Sequence, residues 1–122
     1  MVALDIDHRK LDAIREGTSY IEDIASERLA AVASRVVPTS RWVELAATDA
    51  VLICVPTPLT ANREPDLGPL LDSGRMLAGV LRAGQLVVLE STTYPGTTRE
   101  QLVPLLEESG LAAGTDFNVA FS

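Results

Sequence analysis

The chain has 122 residues, 47% of them hydrophobic and 4% aromatic, with a formal net charge of -7 and a single cysteine, Cys54. That length allows one domain at most, and the acidic balance excludes a nucleic-acid backbone as partner, which needs clustered Lys and Arg. One cysteine excludes an internal disulfide and a multi-cysteine metal site. No apolar run is long enough for a membrane span, and the charges from Asp5 to Arg9 interrupt the start too early for a signal peptide, so the cytoplasm is the expected compartment.

Val2-Ala3-Leu4 predicts a short strand closed by Asp5. Asp7 can cap a helix with apolar positions at Leu11 and Ile14, stopped by Gly17. A loop from Thr18 to Asp23 follows. Ser26 opens a second helix with Leu29, Val32 and Ala33 on one face. Val36-Val37 reads as a weak strand, and Trp42 with Leu45 as a short helix. Ala50 to Val55 is the clearest strand; its unbroken apolar run predicts burial on both faces, as in a parallel sheet. Pro56 to Asp66 holds three prolines and predicts an irregular loop. The spacing of Leu67, Leu70, Leu71, Leu77, Ala78 and Leu81 predicts a helix, and Gly84 ends that unit. Leu86 to Leu89 is a second buried strand, and Glu90 to Gly96 a loop. Thr97 with Glu100 forms a capping-box pattern for a helix running to about Ser109, with a kink expected at Pro104. Gly110 closes it, and Phe117 to Phe121 predicts the last strand.

Alternation of strands and helices implies an α/β fold, a Rossmann-like doubly wound parallel sheet. Ligands bind such sheets at the carboxyl ends of the strands, so the residues there are the ones to weigh. Asp5 ends the first strand, where an acid in dinucleotide-binding folds accepts hydrogen bonds from the adenosine ribose; the alternative is a solvated turn or a helix cap. Asp7 competes for the ribose role but suits the helix cap better. Lys10, one helical turn on, can reach the adenosine side or simply stay solvated. Thr57 offers a hydroxyl between Pro56 and Pro58, facing a diphosphate or ribose, or only making a rigid turn. Glu90-Ser91-Thr92-Thr93 leads into a helix start, an environment suited to an anion or polar ligand, or to capping alone. Cys54 is expected to be a core thiol and His8 an exposed residue of a helix start. No metal-ligand spacing and no nucleophile–base arrangement is visible.

In series, Leu4-Asp5-Ile6-Asp7 with Arg9-Lys10, Gly17 to Ile24, Ile53 to Leu59, Arg63 to Leu67 and Leu89 to Thr98 resemble the UDP-glucose/GDP-mannose dehydrogenase family. The wording is most similar to the branch acting on UDP-N-acetylhexosamines such as UDP-N-acetylglucosamine. The resemblance covers essentially the whole chain. It implies an NAD-dependent oxidation of a nucleotide-sugar C6 alcohol to a carboxylate, for surface polysaccharide precursors, in a homo-oligomeric parent that binds NAD and a UDP-sugar. It places Asp5 and Lys10 at the adenosine ribose, Thr57 near the diphosphate, and Thr92 near the nicotinamide and the catalytic water. The Pro-Thr-Pro and Glu-Ser-Thr-Thr loops set the chain apart from 3-hydroxyacyl and phosphogluconate dehydrogenases.

Against that pattern, residues 1–122 read as a partial N-terminal NAD-binding domain. The family's first strand with its Gly-rich turn, and its primary catalytic residues, have no counterpart, so the chain alone is expected to be inactive. In the order 3-2-1-4-5-6 the first strand is central. Its absence predicts unpaired edges on the strands at Val2 and Ala50, with poor solubility, self-association, or a collapsed sheet in which those two strands pair directly. A non-catalytic nucleotide- or protein-binding module is the alternative function.

Overall fold

Three apolar residues, Val2–Leu4, form β1, and a parallel partner, β2 (Val37–Thr39), lies beside it with Val2 opposite Val37 and Leu4 opposite Thr39. The computed structural model describes residues 1–122, in two compact units, Met1–Glu44 and Leu45–Ser122. In the first, α1 (His8–Glu16) starts where Asp7, in extended backbone, accepts a hydrogen bond from the Arg9 amide, satisfying one of the orphan donors of a helix start. It stops at Gly17, whose φ of 70° and amide bonds to Ala13 and Ile14 carbonyls make the left-handed cap that glycine tolerates best. Leu11 is its wholly buried residue.

The second helix, α2 (Ser26–Val32), begins where expected, but the Ser26 hydroxyl accepts from the Ser19 amide at 3.0 Å and so ties down the preceding loop instead of capping. The apolar face expected of Leu29, Val32 and Ala33 is not a buried one. No residue of α2 is buried, and the backbone tightens into a 3-10 turn at Ala33–Arg35. The weak strand moves from Val36-Val37 to Val37–Thr39, because the Val36 amide still closes that turn onto the Ala33 carbonyl.

The second unit is a parallel three-stranded sheet in the order β3 (Ala50–Ile53), β4 (Leu86–Leu89), β5 (Asn118–Phe121). Two helices connect them, α3 (Gly68–Ala78) and α4 (Val103–Glu107). Val51, Ile53, Val87 and Leu89 share one buried face, and Leu70, Leu77, Leu102, Leu106 and Phe117 complete the core. Burial of β3 on both faces is overturned. Its pattern alternates, with Leu52 58% exposed and Cys54 exposed. Cys54 is therefore no core thiol: β3 ends at Ile53, and Cys54, like Leu52, alternates with the buried Val51 and Ile53. Within its own unit, β1 pairs with β2 and β3 with β4, each through a helical crossover.

Gly74 gives α3 its close approach to the last helical segment; a Cβ there would lie 3.1 Å from Leu102 Cδ1 and 3.3 Å from Leu105 Cδ1. That segment is not the regular helix the sequence suggested. Residues Thr98–Leu102 form a π turn in which the Val103 amide reaches back to the Thr98 carbonyl, and α4 continues from it. Pro104 has no amide to give the Glu100 carbonyl and its ring would crowd it; the wider turn relieves that conflict. Nor does Thr97 cap. Its backbone is already helical and its side chain makes no cap bond. The chain has turned a residue earlier at Gly96, where φ is 90° and a Cβ would meet Glu100 Oε1 at 2.9 Å.

At the amino end of the sheet Gln85 is fully buried. Its Nε2 donates to the carbonyls of Leu45 (2.9 Å) and Thr48 (2.7 Å), and its Oε1 accepts from the Arg82 amide at 2.8 Å. Leu45 O keeps a donor in the Thr48 hydroxyl, so an apolar replacement strands chiefly the Arg82 amide. Gln85→Leu is expected to lower unfolding stability by about 2 kcal/mol, read as a shifted urea midpoint; an unchanged midpoint would show the amide network to be dispensable. Gly74→Leu, which overpacks the α3 contact, should cost about 1–3 kcal/mol in the same titration.

Candidate functional site

In the first unit, β1 runs straight into Asp5, whose amide extends the ladder to the Thr39 carbonyl at 3.2 Å. The Asp5 carboxylate is half-buried. One oxygen accepts from the Asp7 amide at 2.9 Å, and the other lies 3.4 Å from Lys10 Nζ. A carboxylate has room for about four such bonds, so Asp5 retains acceptor capacity suited to a vicinal diol. Lys10 is also poised over the Tyr20 ring, 6.0 Å from its centroid, at the outer limit of a cation–π contact. Asp7 is committed differently. Its carboxylate takes the Arg9 amide and, in fork geometry, Arg9 Nε (3.1 Å) and Nη2 (2.9 Å). The Arg9 side-chain hydrogen bond is the main reason that its carboxyl falls from 3.8 to about 2. His8 is exposed at the helix start.

In the second unit all three strands end flush, with Ile53, Leu89 and Phe121 in register. The loops after β3 and β4 therefore leave from one edge, and two hydroxyls stitch them together. Ser91 Oγ, buried, donates to the Val55 carbonyl at 2.7 Å. Thr57 Oγ1 donates to the Thr92 carbonyl at 2.7 Å. The structure thus brings Thr57 and Thr92 together. Because the single proton of Thr57 is already committed, its hydroxyl has only acceptor lone pairs left, which match a ribose hydroxyl better than a phosphate oxygen. The Thr92 side chain stays exposed while its carbonyl is held.

The loop after Pro58 is less irregular than its prolines suggest. An antiparallel bridge joins Leu59 and Pro65, and the Asp66 amide bonds to the Pro58 carbonyl at 2.7 Å. Beyond Thr92, the Thr93 hydroxyl oxygen is buried without a hydrogen-bond partner. Thr93 is one of the residues lining a cleft of about 700 Å³, with Tyr94, Gly96, Thr98, Arg99, Glu100 and Phe121. An orphaned hydroxyl costs about 1–3 kcal/mol when buried, and the Thr93 oxygen itself is closed off from solvent. Ser91 and Thr93 were missed as individual residues. Their only sequence signal was the hydroxyl run after β4, which does not reveal which member is buried.

A parallel α/β fold, an acid at the end of β1 and hydroxyl-bearing loops at the ends of β3 and β4 define a Rossmann-like nucleotide-binding domain. The comparisons with known proteins make the class specific. Residues 1–122 match the UDP-glucose/GDP-mannose dehydrogenase family, NAD binding domain. All of the chain aligns at 33% identity with 29% of the UDP-N-acetyl-D-glucosamine 6-dehydrogenase of Pseudomonas aeruginosa. It is 39% identical, over 98% of its length, to 29% of the UDP-N-acetyl-D-mannosamine dehydrogenase of Pyrococcus horikoshii. A solved GDP-mannose dehydrogenase from Pseudomonas aeruginosa superposes with a TM-score of 0.90 at 32% identity, over 97% of this chain and 29% of that one. The chain belongs to the UDP-glucose/GDP-mannose dehydrogenase family, as its NAD-binding domain, and spans less than a third of the length of these relatives. No helix is long and apolar enough to cross a membrane.

The lowered Asp7 carboxyl has a testable sign. With its folded value below the ordinary one, the stability it contributes is present above about pH 4 and is lost as the pH falls through about 2. A carboxyl-carbon NMR titration should place Asp7 near 2, and Arg9→Ala should return it toward 3.8. An Asp7 midpoint indifferent to that substitution would contradict the assigned cause.

Proposed function

We propose that this chain supplies the cofactor-binding part of an NAD-dependent nucleotide-sugar 6-dehydrogenase. Asp5 binds the adenosine ribose with Lys10 beside it, Thr57 contacts the cofactor near its diphosphate, and Thr92 lies toward the nicotinamide. The observation that carries this reading is the Thr57–Thr92 bond, 2.7 Å long, which joins the two carboxyl-end loops of a chain matching that family's NAD-binding domain throughout. The free acceptor capacity of Asp5 and the acceptor-only hydroxyl of Thr57 both suit ribose hydroxyls as donors. Asp5, Lys10, Thr57 and Thr92 would hold and orient NAD, which would supply the hydride acceptor.

The complete enzyme is proposed to oxidise the C6 alcohol of UDP-N-acetylglucosamine, or a related UDP-hexosamine, to a carboxylate. It would do so in the cytoplasm as a homo-oligomer that supplies precursors of a surface polysaccharide. The UDP-N-acetylhexosamine relatives at 33% and 39% identity support the hexosamine, beside GDP-mannose 6-dehydrogenases at 34%. None of the residues 1–122 is assigned a catalytic role, and the domain by itself is expected to turn nothing over.

The decisive experiment measures NADH release by the full-length gene product with a panel of UDP-N-acetylglucosamine, UDP-N-acetylmannosamine, UDP-glucose and GDP-mannose. Activity confined to the UDP-N-acetylhexosamines is expected, and a preference for UDP-glucose or GDP-mannose would overturn the substrate assignment. Thr57→Val, which removes the bond to the Thr92 carbonyl, should weaken NAD binding by about tenfold, the worth of one well-made hydrogen bond. Calorimetric titration reads that change, and undiminished affinity would remove Thr57 from the site.

A further inference from the structure

We propose that Asp7 is a specificity-determining residue that keeps the adenosine end of the site selective for NAD over NADP by holding the Arg9 guanidinium. The inference rests on the reading that Asp5 receives the adenosine ribose.

Folds of this kind distinguish the two cofactors after the strand that ends at the ribose. An acid there accepts the 2′-hydroxyl of NAD, whereas a nearby Arg accommodates the 2′-phosphate of NADP. This chain carries both kinds of residue within six positions: Asp5, then Arg9 and Lys10. The geometry shows how the conflict is resolved. Lys10 Nζ is directed to Asp5 Oδ2 at 3.4 Å. Arg9 presents Nε and Nη2 to the two oxygens of Asp7 at 3.1 and 2.9 Å. That two-pronged edge is the one a guanidinium uses to grip a phosphate. Both cations at the start of α1 thus already face an anion, Lys10 that of Asp5 and the Arg9 fork that of Asp7, so a 2′-phosphate entering here would have to compete with two carboxylates for them.

The Arg9 side chain is 92% exposed and that of Asp7 28% exposed. A pair so open to water is weak. It can bias the choice of cofactor by a modest factor and does not act as an absolute bar.

Asp7 also caps α1, so the test must not unravel the helix. Asn is as good a cap as Asp, which makes Asp7→Asn the variant of choice, with circular dichroism confirming the helix. Isothermal titration of NAD and NADP into the full-length gene product then compares wild type, D7N, R9A and D7N/R9A. The wild type should prefer NAD. D7N should shift the affinity ratio toward NADP by about fivefold, the worth of an exposed ion pair. R9A should leave the wild-type ratio in place, and D7N/R9A should lose most of the D7N shift.

An unchanged ratio in D7N overturns the proposal. So does a shift that survives in D7N/R9A, because simple repulsion by Asp7 would then explain it. Asp5→Ala separates this from the reading beneath it. If D5A binds NAD as tightly as wild type, or the wild type binds neither cofactor, the ribose assignment fails and the inference goes with it. A D5A that loses NAD affinity, alongside an inert D7N, sinks the inference alone.

Discussion

The second unit depends on parallel pairing of β3, β4 and β5 in a register that brings Ile53, Leu89 and Phe121 to one edge together. Parallel strands require a crossover between each pair, so every loop leaving that edge must rise before its helix can descend. Two consecutive risers, after Ile53 and after Leu89, are therefore neighbours by necessity. What the sequence adds is chemistry that locks them: Ser91 to the Val55 carbonyl below, Thr57 to the Thr92 carbonyl above. Without the flush register neither hydroxyl would have a partner within reach, and the edge would be two independent loops.

The end of β1 is organised by charge instead. Within six residues the chain sets two acids and two bases in nested pairs, Asp5 with Lys10 and, inside it, Asp7 with Arg9, at the start of α1. One carboxylate is used up by capping and by a guanidinium, and the other is left partly open. The same helix start thus separates a structural acid from one able to accept a ligand, a distinction that residue type alone does not make.

How far the sequence could be read follows from what each signal measures. Strands β1, β3, β4 and β5 were legible because apolar runs bounded by Gly, Pro and Asp have few other uses. The burial of β3 was not. A run from Ala50 to Val55 reports that both faces tolerate apolar side chains, not that both are covered, and so Leu52 and Cys54 were misplaced in a core. The Thr97–Glu100 pattern suggested a cap, but Gly96 moved the helix start and Pro104 widened the turn. Both are backbone effects that a side-chain pattern does not carry. Gln85 gave no signal, since its partners Leu45, Thr48 and Arg82 are joined only by folding. At the candidate site the placing of Thr57 and Thr92 at strand ends was legible, whereas the bond between them and the orphaned hydroxyl of Thr93 were not.

Cys54, displaced from the interior, leaves the chain with its sole sulfhydryl on the outside, just past the end of β3 and shortly before Thr57. A maleimide fluorophore or nitroxide attached there would report on the β3 loop from a single address within residues 1–122.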